Sequence, residues 1–277
     1  MKLQTVLCYT MKEHPIDALI QELHAHHIEI QQILWPFSDS LQAVELNQLE
    51  KIDGILCIAE SAILCKQLKE KQIPVIALLD TNYEQQDYGT VRYAVTDMDA
   101  VNYEYLLQVY QRYKGIPWTI LTTKRCIIRE IAISDVAELY RLYQDASITE
   151  YMEDLYEITK ETEYTKQYME HIYGFYEYGM WLVIEKQSGT IIGRAGIEQF
   201  ELGYMIGKAY QRQGFAYEVC MAIMQYARVK LELNHLESMI RPENKASIAL
   251  IRKLGFMEVG EWCEQNKRMI HYWIDLQ

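Results

Sequence analysis

Two runs, Gly54-Ile-Leu-Cys-Ile-Ala59 and Pro74-Val-Ile-Ala-Leu-Leu79, restrict the fold more than anything else in the chain. Each is apolar throughout, with no polar alternation, and each is bounded by turn residues. Strands of this kind are buried on both faces, which is the habit of parallel sheets covered by helices on either side. Segments of helical periodicity lie between the strands. Pro15–His26 places Ile16, Leu19, Ile20 and Leu23 together, with Pro15 in the first turn where its missing N–H costs nothing. Leu41–Leu49, Ser61–Lys71 and Asp99–Tyr113 are the remaining helices, and Leu3–Tyr9, Ile28–Trp35 and Val91–Val95 complete the strands. This alternation predicts, over residues 1–115, a doubly wound α/β domain, flavodoxin-like or Rossmann-like. Ligands of such sheets sit at the carboxyl ends of the strands, where Thr10, Glu60, Ser61, Asp80, Thr81 and Asn82 fall. Asp80-Thr-Asn82 also reads as a plain polar turn. A phospho-receiver is disfavoured, because no acidic pair follows the first strand.

Gly115-Ile-Pro117 breaks the last helix, since Pro disfavours a helical residue before it. Residues 116–124 are expected as a linker and 125–277 as a second domain. There, Ser134 stands as an N-cap ahead of a helix carrying Val136, Leu139, Tyr140 and Tyr143. A further helix over Glu163–Tyr176 is followed by strands at Met180–Lys186, Thr190–Ile197 and Phe200–Ile206. An amphipathic helix spans Gly214–Leu231, and then come a strand at Leu236–Ile240, a short helix closed by Gly255 and two final strands.

The chain of 277 residues has room for two such domains. Its formal net charge of −12 argues against a nucleic-acid partner, which requires a basic footprint, and is compatible with a cationic acceptor. The six cysteines are scattered, with no C-x-x-C and no Cys/His pairing at ligand spacing, so no metal site is expected. No apolar run approaches the roughly 20 residues that cross a bilayer, and the N-terminus lacks a signal-peptide core. The expectation is a cytoplasmic protein without membrane partners.

The stretch that carries chemistry is Phe200-Glu-Leu-Gly-Tyr-Met-Ile206, Gly-Lys-Ala-Tyr, then Gln211-Arg-Gln-Gly-Phe-Ala216 opening a helix. A strand that turns directly into a helix N-terminus leaves backbone N–H groups converging where the helix dipole also favours negative charge. A pyrophosphate fits there without any basic side chain. Gly214 and Ala216 keep the wall low. The stretch is not a P-loop, which needs a terminal Gly-Lys-Ser/Thr, nor a dinucleotide fingerprint, which needs Gly-x-Gly.

Gln211, Gly214 and Ala216 resemble the Gln/Arg-x-x-Gly-x-Gly/Ala signature of the GNAT N-acetyltransferase superfamily. Asn244-Lys-Ala-Ser247 with Leu250-Ile-Arg-Lys-Leu-Gly-Phe256 is similar to the branch of the ribosomal-protein alanine acetyltransferases, as is the opening Arg125-Cys-Ile-Ile-Arg129-Glu-Ile with Asp135. The resemblance runs from Arg125 to Gln277 and implies an α+β domain whose mixed sheet is splayed between the Phe200–Ile206 and Leu236–Ile240 strands. It implies acetyl-CoA as cosubstrate. The pantetheine would pair with the backbone near Met205 and Ile206, and the pyrophosphate would sit on the amides of Arg212, Gln213, Gly214, Phe215 and Ala216. Asn244 and Ser247 would touch the pantetheine or the acceptor. Arg212 departs from the pattern, as many relatives have Gly there.

Acyl transfer needs a neutral amine and a donor for the tetrahedral oxyanion, which a backbone N–H of a splayed strand can supply. An α-amine with a pKa near 8 is about a tenth neutral at pH 7, whereas a lysine near 10.4 is below ~0.1 % neutral. The acceptor expected from the resemblance is a primary amine of a small molecule or of a peptide or protein N-terminus. The resemblance points to Glu201 as its base, although a solvent-facing carboxylate fits strand alternation equally well. Family members carry a Tyr seven residues after the Asn as acid for the thiolate; here the position is Ile251, and Tyr204 and Ser247 are the substitutes. The vacancy keeps a second reading open, a non-catalytic acyl-CoA sensor. A scaffold in which the first domain drives association, and a homodimer, are also admitted.

Overall fold

The computed structural model describes residues 2–35, 40–79, 86–89, 91–144, 146–152, 154–264 and 267–276. Asp80, Thr81 and Asn82 lie outside the described residues. The chain separates into two compact units, Met1–Ile116 and Pro117–Gln277.

The first unit runs β1 (Thr5–Thr10), α1 (Asp17–Ala25), β2 (Glu29–Leu34), α2 (Ala43–Leu49), β3 (Ile55–Ala59), α3 (Ala62–Glu70), β4 (Val75–Leu78), β5 (Tyr93–Val95) and α4 (Tyr103–Tyr113). Its sheet has the order β2-β1-β3-β4-β5, with every pair parallel. Every residue of β3 and β4 is buried, because each face meets a separate apolar layer. Leu19 and Leu23 of α1 pack with Leu106 and Val109 of α4 beside Val6, Leu56 and Ile76. Leu46 of α2 and Leu64 and Leu68 of α3 pack beside Leu7, Cys57 and Val75. The helix expected from Asp99 begins at Tyr103, since Met98–Ala100 forms a 3-10 turn and Asn102 caps the helix by accepting from Tyr105 N at 2.9 Å.

The second unit holds an eight-stranded mixed sheet in the order β12-β13-β11-β10-β9-β8-β7-β6. Its elements are β6 (Thr119–Thr122), β7 (Cys126–Arg129), α5 (Val136–Tyr143), α6 (Ala146–Thr149), α7 (Ile158–Gln167), α8 (Gly174–Tyr176), β8 (Met180–Glu185), β9 (Ile191–Glu198), β10 (Glu201–Ile206), α9 (Phe215–Val229), β11 (His235–Ile240), α10 (Lys245–Lys253), β12 (Met257–Glu264) and β13 (Lys267–Asp275). A π-helical turn, Tyr168–Tyr173, joins α7 to α8. All pairs are antiparallel except β10 with β11.

Two expectations change. The stretch 116–124, expected as a linker, contains β6, whose Thr-Ile-Leu-Thr pairs with β7. Trp118 before it is 6% exposed; its carbonyl oxygen accepts from Glu130 N at 2.9 Å and its N donates to Glu130 Oε2 at 3.1 Å. Ser134 does not cap α5. It lies inside a 3-10 turn held by Asp135, which accepts from Ala132 N at 2.7 Å and takes both Nη atoms of Arg129 at 2.7 and 2.8 Å. A bidentate pair at an 8% exposed carboxylate outcompetes a neutral hydroxyl for that position.

Five of the six cysteines are buried as free thiols and Cys263 is exposed. Among the described residues no group of three or more His, Cys, Asp or Glu could hold a metal ion. No helix among them is long and apolar enough to cross a membrane.

Candidate active site

The sheet of the second unit opens at its centre. Strands β10 and β11 pair at Glu201↔Glu237, where Glu237 N donates to Phe200 O at 2.8 Å, and the ladder stops there. Side chains take over the next backbone partners. Glu201 Oε1 accepts from Met239 N at 3.1 Å, and Ser238 Oγ donates to Leu202 O at 3.3 Å. Both groups would otherwise join the two strands one step further on.

On its other edge β10 stays paired with β9 through Ile206↔Gly193, and Gly207 N donates to Ile192 O at 2.8 Å. Alternation then fixes which groups face the opening. The backbones of Glu201, Gly203 and Met205 point into the β9 ladder, and those of Leu202, Tyr204 and Ile206 point towards β11. Met205, expected to offer its backbone to pantetheine, therefore has it turned away, while Ile206 and Tyr204 present theirs.

The strand leads into the loop that reads as a phosphate cradle. Gln211 folds back so that Nε2 donates to Ile206 O at 2.9 Å, fixing the exit of the strand. Arg212 is exposed with φ +59°, and Gly214 has φ +82° as N-cap of α9. Glycine adopts that backbone freely, and it brings no side chain over the helix end. The first intrahelical bond runs from Glu218 N to Gly214 O at 3.1 Å, so the amides of Phe215, Ala216 and Tyr217 have no helical carbonyl to reach. Gln213 points aside, with Nε2 on Ala209 O at 2.7 Å.

Arg125 was visible only as a landmark of the opening motif, and the structure gives it a place at this loop. Its Nη1 donates to Gln213 O at 2.9 Å, its guanidinium lies 4.0 Å over the Phe215 ring, and its Nε pairs with Glu218 Oε2 at 2.6 Å. Burial pushes the Glu218 carboxyl up, but hydrogen bonds from Thr123 and Arg125 outweigh it and hold the carboxyl below its usual range. A fixed guanidinium thus stands beside the free amides. Arg125→Gln should weaken CoA binding about fivefold by calorimetry, the usual scale for one half-exposed charge near a helix terminus.

On the far side of the opening, Asn244 caps α10 through Oδ1 on Ser247 N at 3.1 Å. Tyr204 reaches across from β10 and donates to Ser247 O, also at 3.1 Å. Burial pushes the Tyr204 hydroxyl well above its ordinary pKa, so it keeps its proton at neutral pH. Ile251 is fully buried in α10 and carries no acid chemistry. The structure thus brings Tyr204, Ser247 and Asn244 together, and Ile206, Gln211, Gly214, Phe215 and Ala216 together. Glu201 stands at the base of the opening. It shares a register row with Glu198 of β9 and Glu237 of β11, so three carboxylates lie on one face of adjacent strands. Tyr168 OH bonds Glu198, and Glu237 meets His271 Nε2 at 3.0 Å.

Residues 125–257 match the family model described as acetyltransferase (GNAT) domain. Uncharacterized N-acetyltransferase p20 of Bacillus licheniformis is 27% identical over 152 residues, which are 50% of this chain and 83% of its own length. Uncharacterized N-acetyltransferase YnaD of Bacillus subtilis (strain 168) is 26% identical over 146 residues, covering 50% of this chain and 84% of the relative. Among solved structures, the acetyltransferase (GNAT family) from Bacillus anthracis shares the fold at a TM-score of 0.50 and 18% identity, over 56% of this chain and 98% of that one. Residues 125–257 of this chain are a GNAT acetyltransferase domain, and the protein that carries it is an acetyltransferase.

Proposed function

We propose that the protein is an N-acetyltransferase that moves the acetyl group of acetyl-CoA to a primary amine of a small molecule or of a peptide or protein N-terminus. The observation that carries this reading is the open β10–β11 ladder beside the uncapped first turn of α9. A pantetheine can complete the unpaired edge of β10 through Tyr204 and Ile206, and the pyrophosphate can take the amides from Gly214 to Ala216, with Gln211 holding the loop, Arg212 and Gln213 flanking it. In this reading a backbone N–H on the open edge serves the oxyanion, Glu201 is the base, and Tyr204 or Ser247 protonates the thiolate. The row Glu198, Glu201, Glu237 favours an ammonium acceptor over an anionic one. Release of CoA from acetyl-CoA, followed across a panel of amines and N-terminal peptides, tests the proposal. Binding of acetyl-CoA with no turnover on any amine would refute it and leave the cleft as a sensor.

The same proposal takes the first unit as an accessory domain and the second as independent. The order β2-β1-β3-β4-β5 supports reading the accessory domain as flavodoxin-like. A chain shortened to begin at Pro117 should fold and keep its CoA affinity. One beginning at Arg125 loses β6 and the buried Trp118, and its melting temperature should be lower by several degrees. Insolubility of both shortened chains would show that the second unit depends on the first.

A further inference from the structure

The first unit has its own built polar site, at the carboxyl end of the sheet where the chain changes direction. From β1 the connection through α1 leads to β2 on one side. From β3 the connection through α3 leads to β4 on the other. The ends of β1 and β3 are therefore the topological switch point, the place where parallel α/β sheets bind ligands. Thr10 and Glu60 stand there side by side, since Tyr9 and Ala59 are in register and Glu60 N donates to Tyr9 O at 3.0 Å.

Glu60 is 1% exposed. Its Oε2 accepts from Met11 N at 2.6 Å, so the carboxylate is aimed into the loop that leaves β1. Its Oε1 is buried and has no hydrogen-bond partner, and among the described residues no cation pairs with it. A carboxyl oxygen left unbonded away from water is costly, and proteins pair or bond such groups. His14, on the same loop, also has a buried ring nitrogen, Nε2, without a partner. Around them the polar groups are held in place. Thr10 Oγ1 accepts from Gln32 Nε2 at 3.0 Å, and Ser61 Oγ caps α3 through Leu64 N. The segment Gln86–Tyr88 straps over this end of the sheet: Tyr88 OH donates to Glu60 O at 2.6 Å and Gln86 Oε1 accepts from Ala62 N at 2.8 Å.

We propose that the switch point of the first unit, with the free carboxylate oxygen of Glu60 at its centre, binds a small molecule bearing a cationic nitrogen with several N–H groups, a primary ammonium or a guanidinium. The Glu60 oxygen, an acceptor lacking a donor, calls for a group that donates. A cation satisfies a buried carboxylate more strongly than a hydroxyl does, because both partners are charged. Gln86 and Tyr88 cover Glu60 through bonds to its carbonyl oxygen, to Ala62 N and to each other. The acetyl-transfer cleft proposed above is built from residues of the other unit.

The test is calorimetry on the full chain without acetyl-CoA, in a buffer free of amines, with agmatine, putrescine and arginine as the probes. At least one should bind, Glu60→Gln should weaken it at least tenfold, and Glu201→Gln, in the other unit, should leave it within twofold. If Glu60→Gln does not fold, as judged by circular dichroism, Glu60→Asp takes its place, since drawing the carboxylate back should still cost at least fivefold in affinity. No binding of any of the three probes overturns the proposal. So does binding that survives both Glu60 changes, or that is lost in Glu201→Gln, since the amine would then be an acceptor seated in the cleft.

Discussion

Replacing Gly214 by aspartate should lower the affinity for CoA about a hundredfold while leaving the far-ultraviolet spectrum unchanged. Two effects add. The residue holds φ at +82°, and a side chain at that backbone is strained by about 1–3 kcal/mol. A carboxylate there also stands over the first-turn amides of α9, where it offers them an internal anion and repels an external one. Space is not the obstacle: a Cβ at this position meets only Arg125 Nη2, at 3.5 Å. The aspartate would therefore pair with Arg125 and occupy the cradle. Gly214→Ala separates the two effects, as it keeps the strain and omits the charge, and should fall between the two proteins. Calorimetric titration of all three with CoA decides the matter, and equal affinities would mean that the phosphates lie elsewhere.

Glu201→Gln should lower kcat/KM by ~100-fold, the usual worth of a general base. The carboxylate has a second duty, as acceptor for Met239 N at the opening of the sheet. A glutamine can keep that bond with its carbonyl oxygen, so this change removes basicity and spares geometry. Glu201→Ala removes both and should also weaken CoA binding. The deficit of Glu201→Gln should shrink as pH rises towards the pKa of the amine, because the acceptor then deprotonates unaided. An equal deficit at every pH would assign Glu201 to positioning. A wild-type rate would leave it a structural role and direct attention to Tyr204 and Ser247.

The parts of the fold that the sequence showed are those written in local terms. The runs Ile55–Ala59 and Val75–Leu78 are apolar on both faces, and a parallel sheet with two covering layers follows from them. The loop from Gln211 to Ala216 was legible for the same reason, as a strand, a turn and a helix start lie within one short stretch. What escaped depends on which partner each group takes, a choice that residue type and periodicity do not fix. Thr119–Thr122 looked like a linker because Pro117 precedes it, and only pairing with β7 makes it a strand. Ser134 looked like a cap because its residue type suits one, and nothing in the spacing showed that Asp135 would take Ala132 N and Arg129 instead. Which edge of β10 is free decides whether Met205 or Tyr204 offers its backbone, and periodicity alone cannot say on which side a neighbour lies. Arg125 reaches Gln213 and Glu218 at the start of α9, far along the chain, so nothing near it in sequence marked it as part of the loop.

The side-chain bonds from Glu201 to Met239 N and from Ser238 to Leu202 O bear on how a ligand arrives. Parting two strands ordinarily strips donors and acceptors of their partners, and the intruder must make good the loss before it gains anything. Here the protein's own carboxylate and hydroxyl already satisfy those groups, so the gap between β10 and β11 is the resting state of the sheet. The cleft is preorganised: a thioester bound there as proposed would break no backbone ladder, and its contacts would go towards holding it.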